Sequence, residues 1–175
     1  MPVVAADRLT RIYRAIATAH GASPPEADTF AACLLKADLR GYTGQGIAVA
    51  PYYHKLLRNG VLKFGQVPST EREGPAFAAL DGHRNVGQVV GTRAMQVAIE
   101  KARDCGIGIV TVFNSGDFAM ASNYTLQAAR EGKIGIAMGN GYPLVAPWGG
   151  RDCSHAIANF EFERLVSRPA GRSRP

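Results

Sequence analysis

Two short apolar runs, Ile107 to Phe113 and Ile134 to Met138, bracket a segment, Phe118 to Arg130, whose apolar residues recur at helical spacing. That alternation narrows the fold to the α/β class. Both runs are rich in β-branched residues and too short for helices, as expected of strands covered on both faces. A helix between two such strands predicts a βαβ unit with parallel strands. Small and polar residues gather at the two turns of the stretch from Val110 to Gly150, where α/β proteins keep their chemistry.

The rest of the chain supplies helices before strands. Leu9, Ile12, Tyr13 and Ile16 mark a helix over Ala6 to Ala19 that Gly21 ends, leaving His20 as a surface group at its C-terminal end. Ser23, Pro24 and Glu26 form a capping box for a second helix running to about Leu39, with Cys33 in its packed face. The turn from Arg40 to Gly46, RGYTGQG, leads into a third helix, Ile47 to Leu57. A glycine-rich turn before a helix offers free N–H groups to an anion, and it is equally ordinary turn chemistry. Val61 to Pro75 reads as an irregular, partly extended connector, and Phe77 to Leu80 as a short strand ended by Asp81-Gly82. Val86 to Arg103 is the longest helical pattern, and Gly87 and Gly91 on one of its faces predict close packing against a neighbour.

Composition excludes several classes. Hydrophobic residues make up 46% of the 175 and charged residues 19%, the balance of a globular protein with a real core. No apolar run approaches the ~18 residues that span a bilayer, and Met1 to Ala6 lacks a signal-like core, so the expected location is the cytoplasm with no membrane partner. Cys33, Cys105 and Cys153 form no CxxC pair and suit reduced thiols. The formal charge of +6 falls to +2 without Arg164, Arg168, Arg172 and Arg174, which crowd the end of the chain, so no nucleic-acid partner is expected.

Four segments carry a family likeness: KADLRGYTGQGI at Lys36 to Ile47, LDGHRNVGQVVGTRAMQVAIEKA at Leu80 to Ala102, FNSGDFAMASNY in the central stretch, and GIAMGNGYPLVAPWGG after it. In this order they resemble the malate/L-lactate dehydrogenase family, which includes ureidoglycolate, sulfolactate and diketogulonate enzymes. The resemblance implies a nucleotide-binding α/β fold distinct from the Rossmann domain, with N-terminal helices and a mixed or parallel sheet containing βαβ units. It also implies a homo-oligomer, NAD or NADP as cofactor, and a small hydroxy acid or keto acid as substrate. By the same resemblance, Arg40 and Ser115 are substrate-binding positions, Asn140 and Pro147 cofactor-binding positions, and Gln45 and Asp117 hold the places of two catalytic histidines.

At those two places, and at a third, the chain departs from the pattern of the family it resembles. The turn that usually reads D-S-H-G is Thr43-Gly44-Gln45-Gly46, and N-S-x-H-F-G becomes Asn114-Ser115-Gly116-Asp117-Phe118-Ala119. An arginine suited to a substrate carboxylate is commonly found where this chain has Val49. Histidine can pass a proton near neutral pH, and glutamine cannot. Aspartate does so only if burial raises its pKa far above about 3.9, and Asp117 also suits a plain role capping N–H groups ahead of the next helix. His54 and His83 match no catalytic position and read as surface residues. Tyr42, Tyr52 and Tyr53 lie nearby and take no role, Asn140 reads equally as a turn residue, and Trp148 suits core or interface packing.

The likeness ends near Asp152, giving a partial family domain at 1–152 and a divergent, irregular tail at 153–175. The arginine- and proline-rich close has the composition of out-of-frame or truncated sequence, with a natural extension as the alternative. The expected function is that of an incomplete oxidoreductase, weakly active or inactive. The rival is a non-catalytic dimerisation or interaction module.

Overall fold

The computed structural model describes residues 3–141, 143–153, 155–156 and 159–163. Helices α1 (Ala6–Ala19) and α2 (Pro24–Leu39) pack against each other through Tyr13 and Ala17 on one side and Phe30, Leu34 and Ala37 on the other. The expected capping group at α2 is present. One Glu26 carboxylate oxygen accepts from the Ser23 backbone N–H at 2.9 Å and its hydroxyl at 2.8 Å. The other accepts from the Gly65 N–H at 2.9 Å and Asn85 Nδ2 at 3.0 Å. A local cap therefore also ties the helix to two distant loops.

The third helix differs from its sequence expectation. Two 3-10 turns, Thr43–Gln45 and Ile47–Val49, precede α3, which spans Ala50–Arg58. Pro51 explains the delay, because in a helix begun at Ile47 its ring would strike the Ile47 carbonyl four residues back, whereas near a helix start a proline is tolerated. The first core closes here: the Phe30 ring stands edge-on to Tyr53 at 5.5 Å and to Phe64 at 5.6 Å.

Strands β1 (Ser69–Glu73), β2 (Phe77–Asp81) and β3 (Ile109–Phe113) form one sheet in that order, β1 antiparallel and β3 parallel to β2. Helix α4 (Gly87–Cys105) makes the crossover between β2 and β3, burying Ala94 against Ala78 and Leu80. Gly106 ends it in a left-handed conformation, with φ 77°. Strand β1 lies in the segment expected to be an irregular, partly extended connector, and is its extended part. Its STERE sequence is almost wholly exposed at the sheet edge, so no apolar alternation betrayed it.

The central unit also differs. Helix α5 (Ser122–Arg130) follows β3, but β4 (Gly135–Gly139) does not join the β3 sheet and instead pairs antiparallel with β7 (Asn159–Glu163). The parallel βαβ unit is therefore β2–α4–β3, one step earlier than predicted. Apolar runs identify strands without naming their partners, and the partner of β4 lies in the segment expected to be irregular. That segment contributes β7 and β6 (His155–Ala156), which pairs with β5 (Pro143–Val145). The strict alternation of NFEFE over β7 was the overlooked strand signal. The rest of the expected tail, 164–175, lies outside the described residues. Helix α5 begins at Ser122 rather than Phe118 because Ala119 takes a left-handed conformation, φ 58°, incompatible with a helix.

Packing at the α4 glycines matches the prediction. A Cβ on Gly87 would lie 2.4 Å from the Gly116 and Asp117 carbonyl oxygens, and one on Gly91 2.8 Å from the Tyr124 ring. All three cysteines are free; Cys33 is buried, which pushes its thiol up to about 11, and the other two are exposed. Among the described residues no helix is long and apolar enough to cross a membrane.

Candidate active site

The turn from Asn114 to Phe118 is held from behind by three buried or half-buried donors. Tyr53 OH donates to the Asp117 carbonyl at 3.1 Å, Tyr124 OH to the Phe118 carbonyl at 2.5 Å, and the Gly116 N–H to the Asn85 carbonyl at 3.0 Å. Gln88, itself fully buried, donates to Tyr53 OH at 2.7 Å. Burial first, then the negative charge of Asp117, pushes the Tyr53 hydroxyl far above its ordinary range, so it stays protonated and remains a donor. The backbone is thus fixed while Ser115 and Asp117 remain at the surface.

Asp117 is exposed, and its carboxylate accepts from the Ala119 N–H at 3.0 Å. This is the backbone-capping role open to it from sequence, closing a local turn ahead of α5 rather than capping α5 itself. Asn114, at φ 51°, donates from Nδ2 to Asp81 Oδ1 at 2.9 Å. Asp81 also accepts from the His83 N–H at 2.7 Å; that bond first, with Asn114 and the nearby imidazole, holds its carboxyl below the usual range. His83 is half-buried rather than a free surface group, with Nε2 2.8 Å from Ser69 Oγ.

The other turn is organised by Asp38. One oxygen accepts from Tyr13 OH at 2.5 Å and the other from the Ile47 N–H at 2.9 Å, across the segment that holds Gln45. A Cβ on Gly46 would meet the Asp38 carboxylate at 2.1 Å, so a larger residue here would displace that carboxylate. Gln45 is half-buried in the first 3-10 turn, with its N–H bonded to the Tyr42 carbonyl at 2.8 Å. Arg40 donates from Nη1 to Ser122 Oγ at 3.2 Å and stands 3.9 Å from the Glu163 carboxylate, joining the end of α2 to α5 and β7. Val49 packs on the first core.

Ser115 and Asp117 share a pocket of about 230 Å³ with Asn114, Arg84, Leu56 and Leu62. Arg40, Gln45, Asn140 and Pro147 do not line it. Asn140 and Pro147 are exposed, and Trp148 is fully exposed, which removes the core half of its expected core or interface packing. The pocket falls below the roughly 300–1,000 Å³ of ordinary small-molecule sites. Sequence reasoning missed Asp38, Asn85 and Gln88. Each is a single polar residue in a helical or turn segment, and only its burial or its partners across the fold reveal it.

The fold is a mixed α/β domain whose described pocket opens at the Asn114–Asp117 turn. The malate/L-lactate dehydrogenase family model matches residues 4–157, and the chain belongs to that family. It is 44% identical over 144 residues to a malate dehydrogenase of Pyrococcus abyssi, a match covering 82% of this chain and 40% of that protein. It is 36% identical over 148 residues to the L-sulfolactate dehydrogenase of Methanothermobacter thermautotrophicus, covering 85% and 43%. The solved malate dehydrogenase of Pyrococcus horikoshii superposes with a TM-score of 0.90 at 37% identity, covering 95% of this chain and 48% of that one. The chain therefore spans less than half the length of these relatives.

Proposed function

We propose that this chain is part of a cytoplasmic NAD(P)-dependent oxidoreductase acting on small 2-hydroxy acids, or on the corresponding keto or imino acids, with weak or no turnover alone. The observation that carries this reading is Asp117: it occupies a family proton-transfer position, yet it is exposed and its carboxylate is bonded to the Ala119 N–H. A nicotinamide cofactor, when bound, supplies or accepts hydride at the substrate carbon. The matching proton at the substrate oxygen needs a proton-donating group; a glutamine amide such as Gln45 is not one, and the Asp117 carboxylate is taken up by the Ala119 N–H. Val49, turned to the core, offers no fork for a carboxylate. The expected partial surfaces are Arg40, Gln45 and Ser115 toward substrate and Asn140 and Pro147 toward cofactor.

Replacing Asp117 by asparagine tests the reading. The expected result is that NADH-dependent reduction of 2-keto acids stays at its low starting level. A fall of about a hundredfold from a real starting rate, in the range of a lost general acid, would instead make Asp117 a working acid.

A second reading, an interaction module that forms homo-oligomers or associates with family subunits, is favoured by the exposed apolar residues of β3 and β4.

A further inference from the structure

His20 and His54 belong to no motif, and neither lines the pocket at Ser115 and Asp117. The fold nevertheless brings them together: His20 Nε2 lies 3.0 Å from His54 Nδ1. Their ring centroids are 5.0 Å apart, well beyond the nitrogens, so both nitrogens lie on the facing edges of their rings. The planes stand at 60°, edge to face rather than stacked.

Each imidazole has a fixed support. His20 closes α1, its N–H bonded to the Ala17 carbonyl at 3.0 Å, and the Ala22 N–H returns to the same carbonyl at 3.1 Å. His54 follows Tyr53, which is fully buried and set edge-on to Phe30, so α3 cannot turn about its axis without breaking the first core. The outer side of the pair meets water, with His20 half-buried and His54 exposed.

Two nitrogen lone pairs held this close repel unless something positive lies between them. A proton does this in the hydrogen-bonded pair. A divalent metal does it as well, where the span fits. Metal–imidazole bonds are about 2.0–2.1 Å long, so two of them closing a gap of 3.0 Å meet at about 94°. A tetrahedral centre opens that angle to about 109° and needs nitrogens about 3.3–3.4 Å apart. Square-planar and tetragonal centres use right angles, and with nitrogen and oxygen ligands they are the preference of Cu²⁺ and Ni²⁺. Among the described residues no group of three or more histidines, cysteines and carboxylates could hold a metal, so the remaining positions fall to water. Coordination sends the shared proton to an outer ring nitrogen and leaves both facing lone pairs to the metal, since neutral imidazole is the form that ligates.

We propose that His20 Nε2 and His54 Nδ1 form a two-histidine site for a tetragonal divalent transition metal, Cu²⁺ or Ni²⁺, which ties the end of α1 to α3.

The probe is Ni²⁺ alone, added to the purified full chain without a histidine tag, because Cu²⁺ also attacks exposed thiols such as those of Cys105 and Cys153. Paramagnetic broadening of the histidine ring signals reads the ligands directly. The expected result is that the His20 and His54 signals broaden together at substoichiometric Ni²⁺, ahead of that of His83, while calorimetry gives a single Ni²⁺ per chain. His20→Ala and His54→Ala should each weaken binding about tenfold or more, since even partners that only orient a ligand are worth that much. Each should also remove the rise in melting temperature that Ni²⁺ gives the unsubstituted chain. Backbone amide spectra check the fold of both variants, and the ring-signal readout on the unsubstituted chain stands even if a substitution perturbs the helices. Broadening of only one of the pair overturns the proposal. So does binding to the variants as tight as to the unsubstituted chain, or tighter binding of Zn²⁺ than of Ni²⁺.

Discussion

His20 and His54 show what a single residue's setting does. Both read from sequence as plain surface groups, yet His20 Nε2 lies 3.0 Å from His54 Nδ1, joining the end of α1 to α3. Burial first, then the second imidazole, lowers the His20 pKa below its ordinary 6.5. A histidine lowered in the folded state contributes stability that is complete above the unfolded value and lost as pH falls through the folded one. The prediction is an NMR titration midpoint for His20 below 6.5, which moves only part of the way back in His54→Ala because burial remains. A midpoint at or above 6.5 in the unsubstituted chain would refute the pairing. Such pairs were illegible in the sequence because 34 residues separate the partners and neither belongs to a motif. Asp38 was hidden for the same reason: its partners, Tyr13 and Ile47, meet it only in the fold. The residues of the Asn114–Asp117 turn, by contrast, were legible, since the motif is contiguous and the turn it forms is local.

Elements were legible where one amphipathic face meets one core. Helices α1, α2 and α4 fall close to their expected bounds because capping residues and apolar spacing mark them. The sheet pairings were not legible. Strand β1 is polar and exposed, and β4 takes a partner from a segment judged by its composition rather than its alternation. The Gly87 prediction belongs at this scale, because that residue sets how closely α4 approaches the 116–117 turn. Gly87→Ala should destabilise the protein by about 1–3 kcal/mol, the usual range for forcing an added group into a packed site, since the obstructing atoms are backbone carbonyls that cannot rotate away. Chemical denaturation measures it, and a change within about 0.5 kcal/mol, the scale of an ordinary surface substitution, would mean the approach is looser than it looks.

For the molecule as a whole, one well-packed helical core and one α4-backed sheet support the 114–117 turn, and on the proposed reading that turn is only part of a dehydrogenase site. The cleft at Ser115 and Asp117 is small, and the loop after β5 is exposed from Pro147 to Gly150. Trp148, the only tryptophan, lies on that open loop and reports on it without a label. Titrating the purified chain with NADH and NADPH while following Trp148 fluorescence tests the account most directly. The account predicts quenching that grows without saturating up to about 1 mM, as for a chain without a complete cofactor site. Saturable quenching at micromolar cofactor would contradict it, and would mean that this chain alone builds a working nicotinamide site.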